Sequence, residues 1–213
     1  MIDLHTHSLF SDGELIPSEL VRRAQNLGYR AIAITDHVDY SNCDVVVPQI
    51  AAFCENAGFD DIKVIPGAEI THVPPGKIGA LTEKLRTLGA KLVLVHGETV
   101  VEPVAKGTNR AAIEAGVDIV AHPGLVNADD AKLAADKRVA FELSGRGGHS
   151  FTNGHVFSMA REHGVSLVFS TDAHAPRDLM NRKMAEKVII GAGATGAEAD
   201  AMFDYAQKLV ERF

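Results

Sequence analysis

With 213 residues, a formal net charge of −7, 46% hydrophobic and 23% charged residues, the chain can build one sizeable core, and its composition excludes disorder. No apolar run approaches the roughly 20 residues of a membrane span, and the start MIDLHTHS lacks a basic stretch leading into an apolar one, so a soluble, cytoplasmic, single domain over 1–213 is expected, with no membrane partner. The 21 Lys and Arg residues are scattered without a basic run, which leaves no stripe to track a long nucleic acid.

In chain order, short apolar runs alternate with segments that have helical features, the pattern of a repeated βα unit. Residues 2–5 form the first strand. A helix near 17–28 follows, opened by Pro17 and closed by Gly28, with Leu20, Val21, Ala24 and Leu27 on one face. Strands at 31–35 and 62–69 bracket a weaker helix near 46–57, and a helix over 78–88 leads to a strand at 91–96. Helices near 108–115 and 128–136 precede strands at 118–121 and 138–143. A helix over 153–163 precedes the last strand at 166–171, and one or two closing helices, roughly over 178–190 and 196–212, lie around GAGATG. Seven βα units fit this length, whereas an eight-unit barrel takes about 250 residues. The expected fold is therefore α/β, a seven-stranded TIM-like barrel, with an open doubly wound sheet as the alternative. Cys43 and Cys54 are the only cysteines, and without a secretion signal they are expected as free thiols.

Nearly every apolar run ends in a His, Asp or Glu: MIDLHTH, AIAITDH, VIPGAE, KLVLVH, DIVAH, VAFE and SLVFSTDAH. In a parallel barrel the chemistry sits at the carboxyl ends of the strands, so His5, His7, His37, Glu69, His96, His122, Glu142, Asp172 and His174 should converge on one pocket. Imidazoles and carboxylates without thiolates suit Zn, Mn or Fe, with Mg also accommodated. His5 and His7 stand two apart on or just beyond a strand and can close on one ion, and Asp172 and His174 repeat that spacing. A single strand-end histidine is more often a hydrogen-bonded structural residue; six of them are not economically explained that way. Asp12, in Ser-Asp-Gly, is read equally well as a turn residue. Asp3 and Asp36 stand beside the candidate ligands, where a carboxylate can orient an imidazole or simply cap a loop. Arg146 and Arg177 lie in strand-end loops and are candidates to grip phosphate. His149 is a candidate substrate contact, whereas His72, His155 and His163 look like ordinary loop or helix residues.

Taken together, DLHTHS with SDG, TDH, GAE, the strand-end His96, AHPG and STDAH resemble the polymerase and histidinol phosphatase (PHP) superfamily of metal-dependent phosphoesterases, over nearly the whole chain. The resemblance implies a distorted (β/α)₇ barrel holding two or three divalent ions. It implies a first ion on His5, His7, Glu69 and Asp172, a second on His96 and His122 bridged by Glu69, and a third on Asp12, His37 and His174. Some relatives carry His where this chain has Asp12 or Gly13, so weaker binding or a harder ion is expected at the third position. Three such ions, about +6, against Asp12, Glu69 and Asp172 would leave a pocket of roughly +3, attractive to a small anionic phosphorylated substrate. Catalysis would run through a hydroxide between two ions, with Glu69 and Asp172 as catalytic metal ligands and no protein nucleophile, since neither a GxSxG elbow nor a cysteine beside a base is present.

Hydrolysis of a small phosphomonoester is the leading expectation, with histidinol phosphate the substrate the resemblance favours. A phosphodiesterase or exonuclease using the same ions is the second. A noncatalytic scaffold or RNA-binding barrel is the third, opposed by the complete ligand set and the acidic charge. Amidohydrolases share strand-end histidines but typically add a carboxylated lysine, which has no evident counterpart here.

Overall fold

Strand β1 (Ile2–Asp3) pairs in parallel with β2 (Ala31–Ile34), which pairs with β4 (Lys63–Ile70), and the order continues through β5 (Leu92–His96), β6 (Ile119–Ala121), β7 (Ala140–Ser144) and β8 (Leu167–Ser170). The computed structural model describes residues 1–213. A two-residue strand, β3 (His37–Val38), also pairs with β4 and continues the position of β2 after an interruption at Thr35 and Asp36. The interruption has a physical cause: Thr35 Oγ1 bonds the backbone of Thr6 on both sides, at 3.1 Å, and the Asp36 carboxylate turns to Ser8 and Ser11. The sheet closes where Thr6 bridges Ala173, with His7 N donating to Ala173 O (2.9 Å) and Asp172 N to His5 O (3.0 Å). The result is a barrel of seven strand positions, all parallel, as the sequence implies; the open sheet is excluded.

Helices α1 (Pro17–Asn26), α2 (Cys43–Asn56), α3 (Pro75–Thr87), α4 (Thr108–Ala115), α5 (Ala128–Lys137), α6 (Asn153–His163), α7 (Arg182–Gly191) and α8 (Gly196–Val210) complete the chain. Helix α2 begins earlier than its weak pattern predicts, because its buried face is Cys43, Val46, Val47 and Ile50, at helical spacing. A cluster of 46 buried residues fills the space between strands and helices, and a second of 14 fills the barrel interior. Ala206, Leu209 and Val210 of α8 join the inner cluster, and Lys63 at the start of β4 donates to the Val210 carbonyl (2.9 Å), so the last helix closes the amino-terminal end of the barrel. Both cysteines are free thiols. No helix is long and apolar enough to cross a membrane.

The inner cluster explains how the chemistry reaches the opposite end. Side chains two apart on a strand share a face, so Leu92 and Leu94 on β5, Ile65 on β4 and Ala140 on β7 lead along the inward rows to His96, Glu69 and Glu142. Each row is apolar below and ligating above.

Candidate metal centre

At the carboxyl end of the barrel the strand-end residues meet around a cavity of about 230 Å³ whose lining includes Asp12, His37, His96, His122, Asp172 and His174, and no apolar residue. His5, His7 and Glu69 lie beneath it, fully or almost fully buried. The separations between donor atoms are regular. His5 Nε2 is 3.2 Å from Glu69 Oε2 and 3.7 Å from Asp172 Oδ1; His7 Nε2 is 3.7 and 3.2 Å from the same two oxygens. Asp12 Oδ1 stands 3.6 Å from His37 Nε2 and 3.3 Å from His174 Nε2. Donors about 2.1 Å from a tetrahedral ion are roughly 3.4 Å from each other, and these separations bracket that edge. The contacts of His5 and His7 with Glu69 are not hydrogen bonds: His5 Nε2, both ring nitrogens of His7 and both oxygens of Glu69 are buried without a properly oriented partner. Unpaired buried polar atoms are costly, and this concentration of them fits a set of cations.

The two oxygens of Glu69 face different groups. Oε2 faces His5, His7 and, at 2.8 Å, His37 Nδ1, whereas Oε1 lies 3.6 Å from His122 Nε2. His96 groups with His122 and His149, and again with His72 and Glu102; Glu69 falls outside both of these groups. Asp12, His37 and His174 come together with His7. Gly13 beside Asp12 has no room for a side chain, since a Cβ there would lie 2.4 Å from the His7 carbonyl oxygen.

The surrounding hydrogen bonds aim these groups. Glu142 accepts from His5 Nδ1 (2.9 Å) with one oxygen and from the His122 backbone N (3.1 Å) with the other, which turns the His5 Nε2 lone pair inward. Glu142 is therefore a positioning group and not a donor to the cavity. Asp3 and Asp36 orient no imidazole side chain. Asp3 accepts from Thr171 N (3.1 Å) and Thr171 Oγ1 (2.5 Å), and Asp36 holds Ser8 and Ser11 at 2.7–2.8 Å, so both fix the loops that carry the ligands. Two candidate ligands adopt left-handed backbone, His122 at φ 29° and Asp172 at φ 54°. Such strain, about 1–3 kcal/mol per residue, concentrates at functional sites.

Electrostatics divide the imidazoles. Burial, reinforced by His37, His5 and His174, holds His7 well below its ordinary pKa; burial and His96 do the same to His122, and burial lowers His96. These rings are neutral and ready to ligate. Burial also works against a charged His5, but Glu142, Glu69 and Asp172 outweigh it and hold His5 well above the usual histidine range; Glu69 outweighs burial at His37 in the same way. His5 and His37 in turn overcome burial to hold Glu69 well below the carboxylate range, while burial raises Asp172 well above it.

Arg146 Nη1 donates to the Asp172 carbonyl (3.3 Å) and lies 2.6 Å from His174 Nδ1, which itself stands 2.9 Å from that carbonyl, so the guanidinium is placed in the cavity wall. Arg177 pairs instead with Glu14 (3.1 Å) and lines a neighbouring depression that it shares with Asp12 and Arg146. His155 contacts the Val126 carbonyl (2.8 Å), and His163 neighbours Glu162 on α6; neither lines the cavity. His72, which looks like a loop residue in sequence, does line it, as do His149 and Glu102. Glu102 carries no strand-end signal; its one trace in the sequence is membership of the loop that leaves His96.

A family model described as PHP domain matches residues 3–209. The chain belongs to that family. Among curated relatives, an uncharacterized protein of Methanocaldococcus jannaschii is 47% identical over 214 residues, spanning 99% of this chain and 98% of its own. Ribonuclease P protein component 3 of Methanosarcina barkeri is 30% identical over 217 residues, spanning 94% and 83%. Among solved structures, a chain of archaeal ribonuclease P with mature tRNA superposes with a TM-score of 0.74 at 20% identity over 99% of this PHP domain and 90% of that chain. Histidinol phosphate phosphatase of Lactococcus lactis, complexed with zinc, L-histidinol and phosphate, gives 0.58 at 16% identity over 91% and 94%. At these identities the structural likeness establishes a shared fold.

Proposed function

We propose that this PHP domain is a metal-dependent phosphoesterase that hydrolyses a small phosphomonoester, with histidinol phosphate the first substrate to test. The observation that carries the reading is the convergence of buried, unpaired donor atoms at tetrahedral-edge separations around one polar cavity. His5, His7, Glu69 and Asp172 would hold one ion, and Asp12, His37 and His174 another. Glu69 would reach from the first toward an ion beside His122 and His96. Bound divalent ions would supply an activated water and neutralise charge developing on the phosphoryl group and the departing oxygen.

The chain's own residues do the rest. Glu142 fixes the His5 tautomer that offers a lone pair. Arg146 stands in the wall with donors that can take phosphoryl oxygens bidentately, and Arg177 extends positive charge along the adjoining rim. The cavity size and wholly polar lining suit a phosphate with a compact polar leaving group, and the scattered basic residues give a long polynucleotide no track.

A second reading, a noncatalytic RNA-associated barrel, draws on the likeness to ribonuclease P component 3. Phosphate release separates them: histidinol phosphate, sugar phosphates, nucleotides and a phosphodiester, each with Mn, Zn or Mg supplied. Release from a monoester with at least one metal is the expected result. Release from the diester alone would reassign the activity, and none from any substrate would favour the scaffold.

A further inference from the structure

We infer that the ion position on the β5–β6 side of the cavity is completed by His149 and Glu102, two residues outside the ligand set implied by family resemblance. His149 enters from the loop after β7, where Gly147 and Gly148 precede a short 3₁₀ turn, His149–Thr152. Gly148, at φ 89°, lies against Val101 of the loop after β5, so the two loops pack together over the site. The imidazole is only 5% exposed. Its Nδ1 lies 2.9 Å from Thr99 Oγ1, and the tautomer donating to that oxygen leaves the Nε2 lone pair facing Glu102 Oε1 at 3.4 Å.

Three rings pack closely here. His149 stacks on His122 at 4.0 Å between centroids, and His96 meets His122 edge-on at 4.5 Å. One nitrogen from each lies within 4.8 Å of the others, and His122 Nδ1 is buried without a partner. Over them sits the Glu102 carboxylate, 3.1 Å from His96 Nε2 as well as 3.4 Å from His149 Nε2. The first, from Oε2, is shorter than the roughly 3.4 Å edge of a tetrahedron with bonds of about 2.1 Å, and the second, from Oε1, matches it. His96, His122 and His149 make a three-imidazole group suited to Zn, Mn or Fe, and Glu102, which groups with His96 and His72, approaches it from the rim through His96 and His149. The added carboxylate comes from the mouth, where Glu102 is 37% exposed on its side chain, opposite Glu69 on the floor. This position is therefore more solvent-accessible than the one on His5 and His7 and should exchange its metal faster than that one.

Metal-free protein is titrated with Co²⁺ and Zn²⁺, following bound equivalents after equilibrium dialysis and the visible Co²⁺ spectrum, for the wild type, His149→Ala, His149→Gln, Glu102→Gln and, as a control away from the cavity, His155→Ala. The expected result is loss of one equivalent, or at least a tenfold weaker weakest step, in both His149 variants, with a changed Co²⁺ spectrum. About tenfold weakening is expected in Glu102→Gln, and no change in the control. Far-UV circular dichroism of the metal-free forms confirms that each variant is folded. Wild-type stoichiometry, affinity and spectrum in the His149 variants would overturn the inference while leaving the metal centre intact. A wild type that binds no divalent ion would overturn both.

Discussion

Glu142→Gln isolates the orientation of the first ligand from the ligands themselves. The side chain is fully buried, touches no cavity space and makes two contacts, one to His5 Nδ1 at 2.9 Å and one to the His122 backbone N at 3.1 Å. Glutamine preserves the shape, but it removes the charge and offers an amide where one acceptor stood. A hydrogen bond to a charged acceptor is worth about 1.5–3 kcal/mol. Loss of a carboxylate behind a metal-binding imidazole typically weakens metal affinity about 10–100-fold, which is roughly 1.4–2.7 kcal/mol. Two independent routes thus give the same size of effect. The assay is competition for Zn²⁺ or Mn²⁺ with a chromophoric chelator, comparing metal-free wild type with the variant. The expected outcome is a tighter-binding step weakened by one to two powers of ten, with the number of bound equivalents unchanged, because no donor atom has been removed. Equal affinity would refute the argument that Glu142 sets the His5 tautomer, and loss of an equivalent would show that it is itself a ligand.

His7→Ala and Asp172→Ala should each lower turnover by more than about a hundredfold, since removing a donor exceeds the effect of removing its support. Both should keep the wild-type circular dichroism spectrum because these residues sit above the packed interior; unchanged hydrolysis would exclude them as ligands. Metal uptake should be proton-coupled. The raised His5, His37 and Asp172 hold protons that an ion must displace, whereas His7, His96 and His122 are already neutral. Apparent affinity should therefore rise as pH increases above the ordinary histidine value of about 6.5, with protons released into buffer during calorimetric titration; a pH-independent affinity would contradict this. Asp3 offers a stability test. Burial raises its pKa from 3.8 to about 6, so the folded state keeps a proton that the unfolded chain loses in that window. Stability attributable to Asp3 is full below about pH 3.8 and declines as pH rises toward about 6, by roughly 3 kcal/mol. In urea unfolding of the metal-free protein, wild type should lose about that much relative to Asp3→Asn between about pH 4 and about pH 7, and a constant difference would refute the shift.

Much of this was legible in the sequence because strand ends carry both signals at once: an apolar run marks the strand and the polar residue at its end marks the mouth. Glu69, His96 and His122 needed no more than that. Glu142 carries the same signal but a different task, since one residue's placement cannot say whether a carboxylate faces a cavity or an imidazole's far side. Asp3 and Asp36 show the same limit, being buried carboxylates committed to Thr171 and to Ser8 and Ser11. Glu102 and His72 were illegible for another reason. They lie in loops whose path is set by packing against other loops, as where Gly148 meets Val101, and no local periodicity encodes such an approach. Arg177 was placed at the correct end of the barrel, but its direction is decided by Glu14, a residue distant in sequence.

The strained ligands connect these observations. His122 and Asp172 occupy left-handed backbone that neither residue prefers, and each is held there by the parts that organise the site. The His122 amide is tied to Glu142, the carboxylate that also turns His5. The Asp172 amide donates to the His5 carbonyl at the barrel seam, and its own carbonyl accepts from Arg146. His5 therefore stands at the junction of both constraints: its ring through Glu142 and its carbonyl through Asp172. A fold selected only for packing would have no reason to accumulate two unfavourable conformations, unpaired buried nitrogens and a carboxylate raised by burial around one residue. On the proposed reading each of these costs would be recovered on metal binding, because the same backbone turns that strain the chain bring the candidate donors together. Metal binding should accordingly stabilise the whole barrel seam, and the thermal midpoint should rise on loading by more in wild type than in Glu142→Gln. Equal increments in the two proteins would break the link between strain and ligation.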